Sequence, residues 1–130
     1  MSTRLSPRCG RERPAGTFTP RSPRAQAIRI IAKRSSDAFY ATPLRSELDS
    51  RGITRLVVTG AESDKCIDST ARRALSLDYD VTLAADAHTT ASGNGVLSAE
   101  QIVAHHNATL ADLPHPKHEI TVTPSREITF

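Results

Sequence analysis

The sequence predicts an α/β domain built on a parallel sheet, and two features of its pattern support this. Predicted strands and helices alternate from residue 27 to residue 123 with short connections, an order typical of βαβ units. The run Arg55–Thr59 has a continuous apolar centre, as expected of a strand buried on both faces of such a sheet. We therefore expect helices packed against a parallel sheet.

The first predicted elements come from one β-rich run and one set of helix-boundary residues. Ala27–Ala32 is rich in branched aliphatic residues and ends at Lys33, so we assign it to a strand. Thr42 and Pro43 are residue types that favour a helix start, and Gly52 favours a helix end. A short helix is therefore predicted between them, ahead of strand 55–59.

The second half of the chain continues the alternation. Ile67–Leu77 has apolar residues at helical spacing, and Tyr79–Ala84 is predicted to be a strand followed by a loop rich in His, Thr, Ser and Gly. Ser98–Leu110 is a longer predicted helix, because it opens with the capping-box pattern Ser-Ala-Glu-Gln. The last predicted strand is Glu119–Thr123.

The basic character of the chain belongs to its first 26 residues. They hold six arginines and one carboxylate, whereas the remaining 104 residues hold 11 basic and 13 acidic side chains. Half of the prolines also lie there, so we predict a disordered leader over residues 1–26 and a domain over residues 27–130. Basic residues on a disordered tail with one aromatic argue against a nucleic-acid partner, although another anionic partner stays an alternative.

Composition excludes several other classes of protein. No stretch reaches the roughly 18–20 apolar residues of a membrane-spanning helix, and the amino terminus lacks the apolar run of a secretory signal. Cys9 and Cys66 are too few for a disulfide framework or a four-thiolate zinc site. The adjacent His105 and His106 point in different directions on a helix. We expect a cytoplasmic protein with no metal, no cofactor and no membrane association.

Cys66 is the most informative polar residue of the chain. It follows strand 55–59 and precedes a helix, at the sheet edge where parallel α/β folds bind ligands. A helix amino terminus stabilises a thiolate and lowers the pKa of a thiol from its ordinary value of about 8.5. Lys33 ends a predicted strand and would reach the same crevice if the two strands are neighbours. The alternatives are an inert cysteine in a turn and a solvated surface lysine.

Asp86 and His88 follow the predicted strand Tyr79–Ala84. Both would then lie in a loop at the same sheet edge and line a pocket. For Asp86, a capping or turn role is the alternative interpretation.

Four spaced motifs together resemble the isochorismatase-like cysteine hydrolases. They are Lys33-Arg-Ser-Ser-Asp-Ala-Phe-Tyr-Ala-Thr-Pro-Leu, Arg51-Gly-Ile-Thr-Arg-Leu-Val-Val-Thr-Gly-Ala-Glu-Ser-Asp-Lys-Cys-Ile-Asp-Ser-Thr-Ala-Arg-Arg-Ala, Asp78-Tyr-Asp-Val-Thr-Leu-Ala-Ala-Asp-Ala-His-Thr-Thr and Gln101-Ile-Val-Ala-His-His-Asn-Ala-Thr-Leu. The resemblance covers about residues 27–130. It implies a three-layer, Rossmann-like α/β/α fold and hydrolysis of a small amide or related substrate by an Asp-Lys-Cys triad.

The resemblance also implies roles for particular residues. Cys66 would be the nucleophile and Lys33 the triad lysine. The family's cis peptide bond falls at Ala61–Glu62, and the backbone amides of Glu62 and Cys66 would form the oxyanion hole. Phe39 of the first motif joins Asp86 and His88 as a candidate pocket residue.

The sequence departs from the family pattern before residue 27. The family's triad aspartate closes a strand well before the lysine, whereas the first aspartate here is Asp37. Glu12 lies upstream but among Arg and Pro. We therefore expect an N-terminally truncated member that lacks the first strand–helix unit and has impaired catalysis, since the general base is absent. The alternative is a non-catalytic remnant that persists by homo-oligomerisation through its open sheet edge or with a partner.

Overall fold

The computed structural model describes residues 28–130, and the predicted leader over residues 1–26 lies outside them. The elements are α1 (Leu44–Ser50), β1 (Arg55–Ala61), a π-helical turn (Ser63–Ile67), α2 (Asp68–Ser76), β2 (Asp80–Thr89), α3 (Ala99–Ala111), β3 (Ile120–Thr123) and a 3₁₀ turn (Ser125–Glu127). Within the described residues, the three strands form one parallel sheet in the order β1–β2–β3. The predicted α/β class is confirmed.

The hydrophobic core lies between one face of this sheet and the helices. Two rows of residues in register face the core, namely Leu56, Val81 and Ile120 in the first row and Val58, Leu83 and Val122 in the second. Helix α2 contributes Ala71, Ala74 and Leu75 to the core, and α3 contributes Leu110. Leu83 and Leu110 are fully buried, and burial of a leucine side chain stabilises a fold by about 2 kcal/mol.

The prediction that β1 is buried on both faces is wrong. Leu56 and Val58 are half-buried toward the core, whereas Val57 points to the opposite face and is 38% exposed. Helices α2 and α3 each connect neighbouring parallel strands in the same direction across the sheet. Right-handed crossovers therefore place both helices on one face, which leaves the Val57 face open within residues 28–130.

The predicted first strand is also wrong over the residues that the structure describes. Residues 28–32 form no strand, and Ile28 and Ile30 are 54% and 68% exposed. A strand needs a neighbour for its backbone hydrogen bonds, and among the described residues β1 pairs only with β2. A β-rich composition alone does not supply such a neighbour.

Helix boundaries agree with the sequence to within about one residue. The Thr42 hydroxyl accepts a hydrogen bond from the Leu44 amide, and Gly52 follows α1 with a φ of +65°. The predicted capping box of α3 is present, because Ser98 and Gln101 each accept a hydrogen bond from the other's backbone amide. No helix among residues 28–130 has the length and apolarity needed to cross a membrane.

Candidate active site

Cys66 lies in the π-helical turn Ser63–Ile67, which we call the Cys66 turn. The turn follows a cis peptide bond at Ala61–Glu62, and the amides of Lys65 and Ile67 both donate to the Glu62 carbonyl at 3.1 Å. The turn runs directly into α2, so the cysteine lies near the start of a helical segment. This position favours a negatively charged sulfur.

The structure brings Lys33 and Cys66 together. The Lys33 ammonium nitrogen lies 3.1 Å from the Cys66 sulfur and 2.8 Å from the Ser35 carbonyl oxygen. Cys66 is 8% exposed, and Lys33 is half-buried. A lysine ammonium that donates to sulfur stabilises the thiolate over the thiol. The two residues selected from the sequence therefore lie in direct hydrogen-bonding contact.

The carboxylates at the start of the Cys66 turn, Asp64 within it and Glu62 just before it, have structural contacts. Glu62 forms an ion pair with Lys65, and Asp64 accepts a hydrogen bond from the Thr90 hydroxyl at 3.1 Å. The first contact links the start of the turn to its own Lys65. The second links the turn to Thr90, the residue that follows β2. Neither contact uses the carboxylate as a base for the thiol.

Asp37, the first aspartate of the sequence, also has a structural role. Its carboxylate accepts the Phe39 amide at 2.8 Å and faces the Arg73 guanidinium at 3.9 Å. These contacts fix the loop between Lys33 and α1. The nearby Phe39 ring stacks on Tyr79 with ring centroids 5.8 Å apart and packs against the core cluster.

His88 lies inside β2, not in the loop that the sequence predicted. It is 5% exposed, and both ring nitrogens have close partners. Nδ1 is 2.8 Å from the Ser63 hydroxyl, and Nε2 is 2.7 Å from Oδ1 of Asn107. Asn107 in turn donates from Nδ2 to the Ala85 carbonyl at 3.1 Å. His88 therefore contacts the first residue of the Cys66 turn, Ser63, through a hydrogen bond.

A bulge in β2 brings His88 to this position. Val58 of β1 pairs with Leu83, but Gly60 pairs with His88, so five steps along β2 oppose two along β1. Such bulges bend a strand and redirect its side chains. Gly60 has a φ of +118°, which strongly favours glycine at this point of β1. The bulge explains why β2 continues to Thr89, five residues past the predicted strand end.

Asp86 also lies in β2, and its carboxylate holds the 3₁₀ turn Ser125–Glu127. It accepts the Ser125 amide at 2.7 Å and the Ser125 hydroxyl at 2.9 Å. The bond from the amide, followed by the bond from the hydroxyl, lowers the pKa of Asp86 below its ordinary value. This is the capping or turn role that the sequence left open as an alternative to a pocket role.

Sequence reasoning missed Ser63 and Asn107. Ser63 is fully buried, and Asn107 is half-buried between α3 and β2. Asn107 lies four residues after Val103 and three before Leu110, so it shares the side of α3 that carries the apolar stripe. A polar residue on the apolar side of a helix was the signal that could have identified it.

The residues that the structure describes contain no cluster of side chains suited to a metal ion. Across residues 28–130, no group of three or more His, Cys, Asp and Glu side chains could hold a metal ion.

Comparison with known proteins identifies the family. Residues 2–114 match the family model of the isochorismatase domain, and the chain therefore belongs to the isochorismatase family, whose members include hydrolases. The match extends into residues 1–26, which lie outside the described part, so the domain boundary at residue 27 stays a prediction.

Individual relatives resemble parts of the chain. A streptothricin hydrolase of Streptomyces noursei is 43% identical over 61 residues, which are 47% of this chain and 22% of that protein. An Arabidopsis thaliana protein named "Probable inactive nicotinamidase" is 41% identical over 58 residues, 44% of this chain and 30% of its own. A crystal structure of an isochorismatase from Pseudomonas putida superposes with a TM-score of 0.71 at 29% identity, covering 80% of this chain and 53% of that one.

These alignments span less than a third of the two curated relatives and about half of the solved structure. The likeness therefore applies to a part of each relative.

Proposed function

We propose that this chain acts as a cysteine hydrolase on a small amide or a related acyl substrate, with the Cys66 thiolate as the nucleophile. The observation that carries the proposal is the 3.1 Å contact between the Lys33 ammonium and the Cys66 sulfur. An adjacent cation and the start of a helical segment both favour the thiolate, which is the attacking form of cysteine. A ureidoacrylate amidohydrolase among the relatives, 40% identical over 58 residues, supports an amide as the substrate class.

The proposed reaction has two steps. The sulfur attacks the carbonyl carbon, a C–S bond forms, and the bond from carbon to the leaving nitrogen or oxygen breaks. Water then attacks the thioester, releases the carboxylic acid and returns the sulfur to its thiolate form. Backbone amides of Glu62 and Cys66 are the proposed donors to the oxyanion that forms in each step.

The protonation of the leaving group limits this chemistry. An amine must take up a proton as it leaves, and the Lys33 ammonium is the proton donor in contact with the sulfur. The ammonium must then recover that proton when water attacks the thioester. A nitrophenolate departs as an anion and needs no proton. We therefore expect activated esters to acylate Cys66 faster than amides do.

A burst experiment with p-nitrophenyl acetate tests the proposal. The expected result is a rapid release of about one nitrophenolate per chain, followed by slower turnover, because acylation outpaces thioester hydrolysis. Cys66→Ser should abolish the burst, and Cys9→Ser is the matched control that should keep it. A burst that survives in Cys66→Ser, or no burst in the parent chain, would refute Cys66 as the nucleophile.

A second candidate function is that of a non-catalytic remnant that associates through its open sheet. The observation that favours it is that, among residues 28–130, β1 pairs with a strand on one side only, and Val57 is exposed on the open face. Open strand edges are templates for pairing with another chain. Light scattering during size-exclusion chromatography distinguishes the two: a catalytically silent dimer supports the remnant, and a monomer that shows the burst opposes it.

A further inference from the structure

We propose that His88 is a positioning residue for the nucleophile: it holds Ser63 and thereby keeps the Cys66 sulfur within reach of Lys33. The inference rests on the proposed function, because it concerns the reactivity of the same sulfur. It assigns a purpose to a buried histidine that the two reaction steps leave unused. The network that carries it is Ser63–His88–Asn107–Ala85.

The hydrogen-bond network determines which ring nitrogen of His88 carries the proton. The side-chain amide of Asn107 donates from Nδ2 to the Ala85 carbonyl, so its oxygen faces the histidine. An amide oxygen only accepts, and His88 Nε2 must therefore be the donor in this pair. In the neutral ring Nδ1 is then an acceptor, and the Ser63 hydroxyl donates to it. Asn107 thus orients the histidine, and the histidine orients the serine.

This arrangement differs from a catalytic serine–histidine pair because both of its residues are buried. Ser63 has no exposed surface, and His88 is 5% exposed. A substrate carbonyl cannot reach the serine oxygen, and both histidine nitrogens already have partners. The network therefore acts on the backbone of the Cys66 turn and not on the substrate.

The residue that follows β2 makes a second contact with the Cys66 turn. Thr90, two residues after His88, donates to the Asp64 carboxylate at 3.1 Å. Ser63 and Asp64 are the first two residues of the Cys66 turn, so both side-chain anchors lie at its beginning. The sulfur two residues further on is then fixed relative to β2, while Lys33 approaches from the segment ahead of α1.

Position matters here because the contact between sulfur and ammonium is short. A displacement of about 1 Å would take the pair beyond hydrogen-bond distance and weaken the stabilisation of the thiolate. Loss of the bond between Ser63 and His88 is therefore expected to raise the pH at which Cys66 becomes reactive. A purely structural role would lower stability and leave that pH unchanged.

Two substitutions at His88 distinguish a positioning role from a purely structural role. Each one keeps one of the two hydrogen bonds of the histidine ring and removes the other. In His88→Asn, the side-chain oxygen replaces Nδ1 and still accepts from Ser63. In His88→Gln, the side-chain nitrogen replaces Nε2 and still donates to Asn107. Each variant loses one hydrogen bond, so the two are matched in the number of contacts removed. Ser63→Ala removes the same contact as His88→Gln, and His105→Asn on the exposed side of α3 is the control.

The readout is the pH profile of iodoacetamide alkylation at Cys66, measured by mass spectrometry in a Cys9→Ser background, with circular dichroism to verify folding. We expect His88→Gln and Ser63→Ala to raise the midpoint by about one pH unit, a tenfold loss of rate at neutral pH. His88→Asn should stay closer to the parent midpoint, and His105→Asn should not change it. Equal midpoints in the parent, His88→Gln and Ser63→Ala would overturn the inference, as would equal shifts in both His88 variants.

The same data distinguish this inference from the proposed function. A low midpoint in the parent that Lys33→Met raises, but that His88→Gln leaves unchanged, overturns the positioning role alone. An ordinary thiol midpoint in the parent overturns both, because no stabilised thiolate then exists for His88 to position.

Discussion

The side-chain nitrogen of Lys33 lies 3.1 Å from the sulfur of Cys66, although 33 residues of sequence separate them. The lysine belongs to the segment ahead of α1, and the cysteine belongs to the turn after β1. The Ser35 carbonyl holds the ammonium from the side of its own segment, and the Ser63–His88 bond holds the turn from the side of β2. The two partners of this contact are thus each bound to a different part of the fold.

The open face of the sheet gives a prediction for self-association. Val57→Lys places a charge on that face, and burial of an unpaired charge in an interface is costly. Any dimer formed through this face should therefore weaken by tenfold or more, measured by sedimentation equilibrium. Ala104→Lys adds the same charge on the exposed side of α3 and should have no effect. If both variants weaken a dimer equally, the Val57 face is not its interface.

The Asp86 carboxylate gives a prediction for the carboxyl-terminal 3₁₀ turn. Because the pKa of Asp86 is lower in the folded state, its bonds to Ser125 contribute stability above the ordinary aspartate range. That contribution is lost as the pH falls through the lowered value. The Ser125 amide should therefore keep its protection from hydrogen exchange below the ordinary aspartate pKa and lose it only as the pH falls through the lowered value. Asp86→Asn should show weak protection throughout, and an Asn variant as protected as the parent would contradict this role.

Tyr79 gives a prediction at high pH. Burial, followed by the 2.6 Å hydrogen bond to Asp49 and by the charge of that carboxylate, raises the pKa of Tyr79 to about 12. A raised pKa means that the stabilisation is complete below the unfolded value of about 10 and is lost as the pH rises through the folded value. Between these limits, the unfolding constant should increase about tenfold per pH unit from this group alone.

The comparison with Tyr79→Phe isolates that effect from other groups that titrate in the same range. The variant should be less stable by about 1 kcal/mol at neutral pH, because it lacks the bond to Asp49, and its extra pH slope should disappear. Denaturant unfolding followed between pH 9 and 12 measures both quantities. Tyr40→Phe changes an exposed tyrosine and should behave like the parent. A Tyr79→Phe variant with the parent's slope would refute the assignment.

Local signals in the sequence predicted most of the elements correctly. The capping box at Ser98 and the glycine at position 52 involve only neighbouring residues, so these boundaries could be predicted from type and spacing. The prediction that Lys33 lies near Cys66 rests on a weaker argument, because it assumes that the strands ahead of these two residues are neighbours in the sheet. The structure brings the two side chains together although residues 28–32 form no strand.

The errors concern features that depend on distant parts of the chain. An apolar run such as Leu56–Val58 does not reveal whether a helix covers its second face. The bulge that brings His88 into contact with the Cys66 turn depends on the register between β1 and β2. The sequence of β2 alone does not contain that register. For the same reason the sequence predicts a loop at Asp86 and His88, whereas both residues lie in β2.

The pH dependence of Cys66 alkylation in the parent chain and in Lys33→Met tests the central claim most directly. Methionine keeps much of the length of the lysine side chain and removes its charge, while Lys117→Met is the matched control at an exposed lysine. The account predicts a parent midpoint below the ordinary thiol value of about 8.5, a rise of about one unit in Lys33→Met and none in Lys117→Met. A parent midpoint at or above that value, unchanged in Lys33→Met, would contradict it.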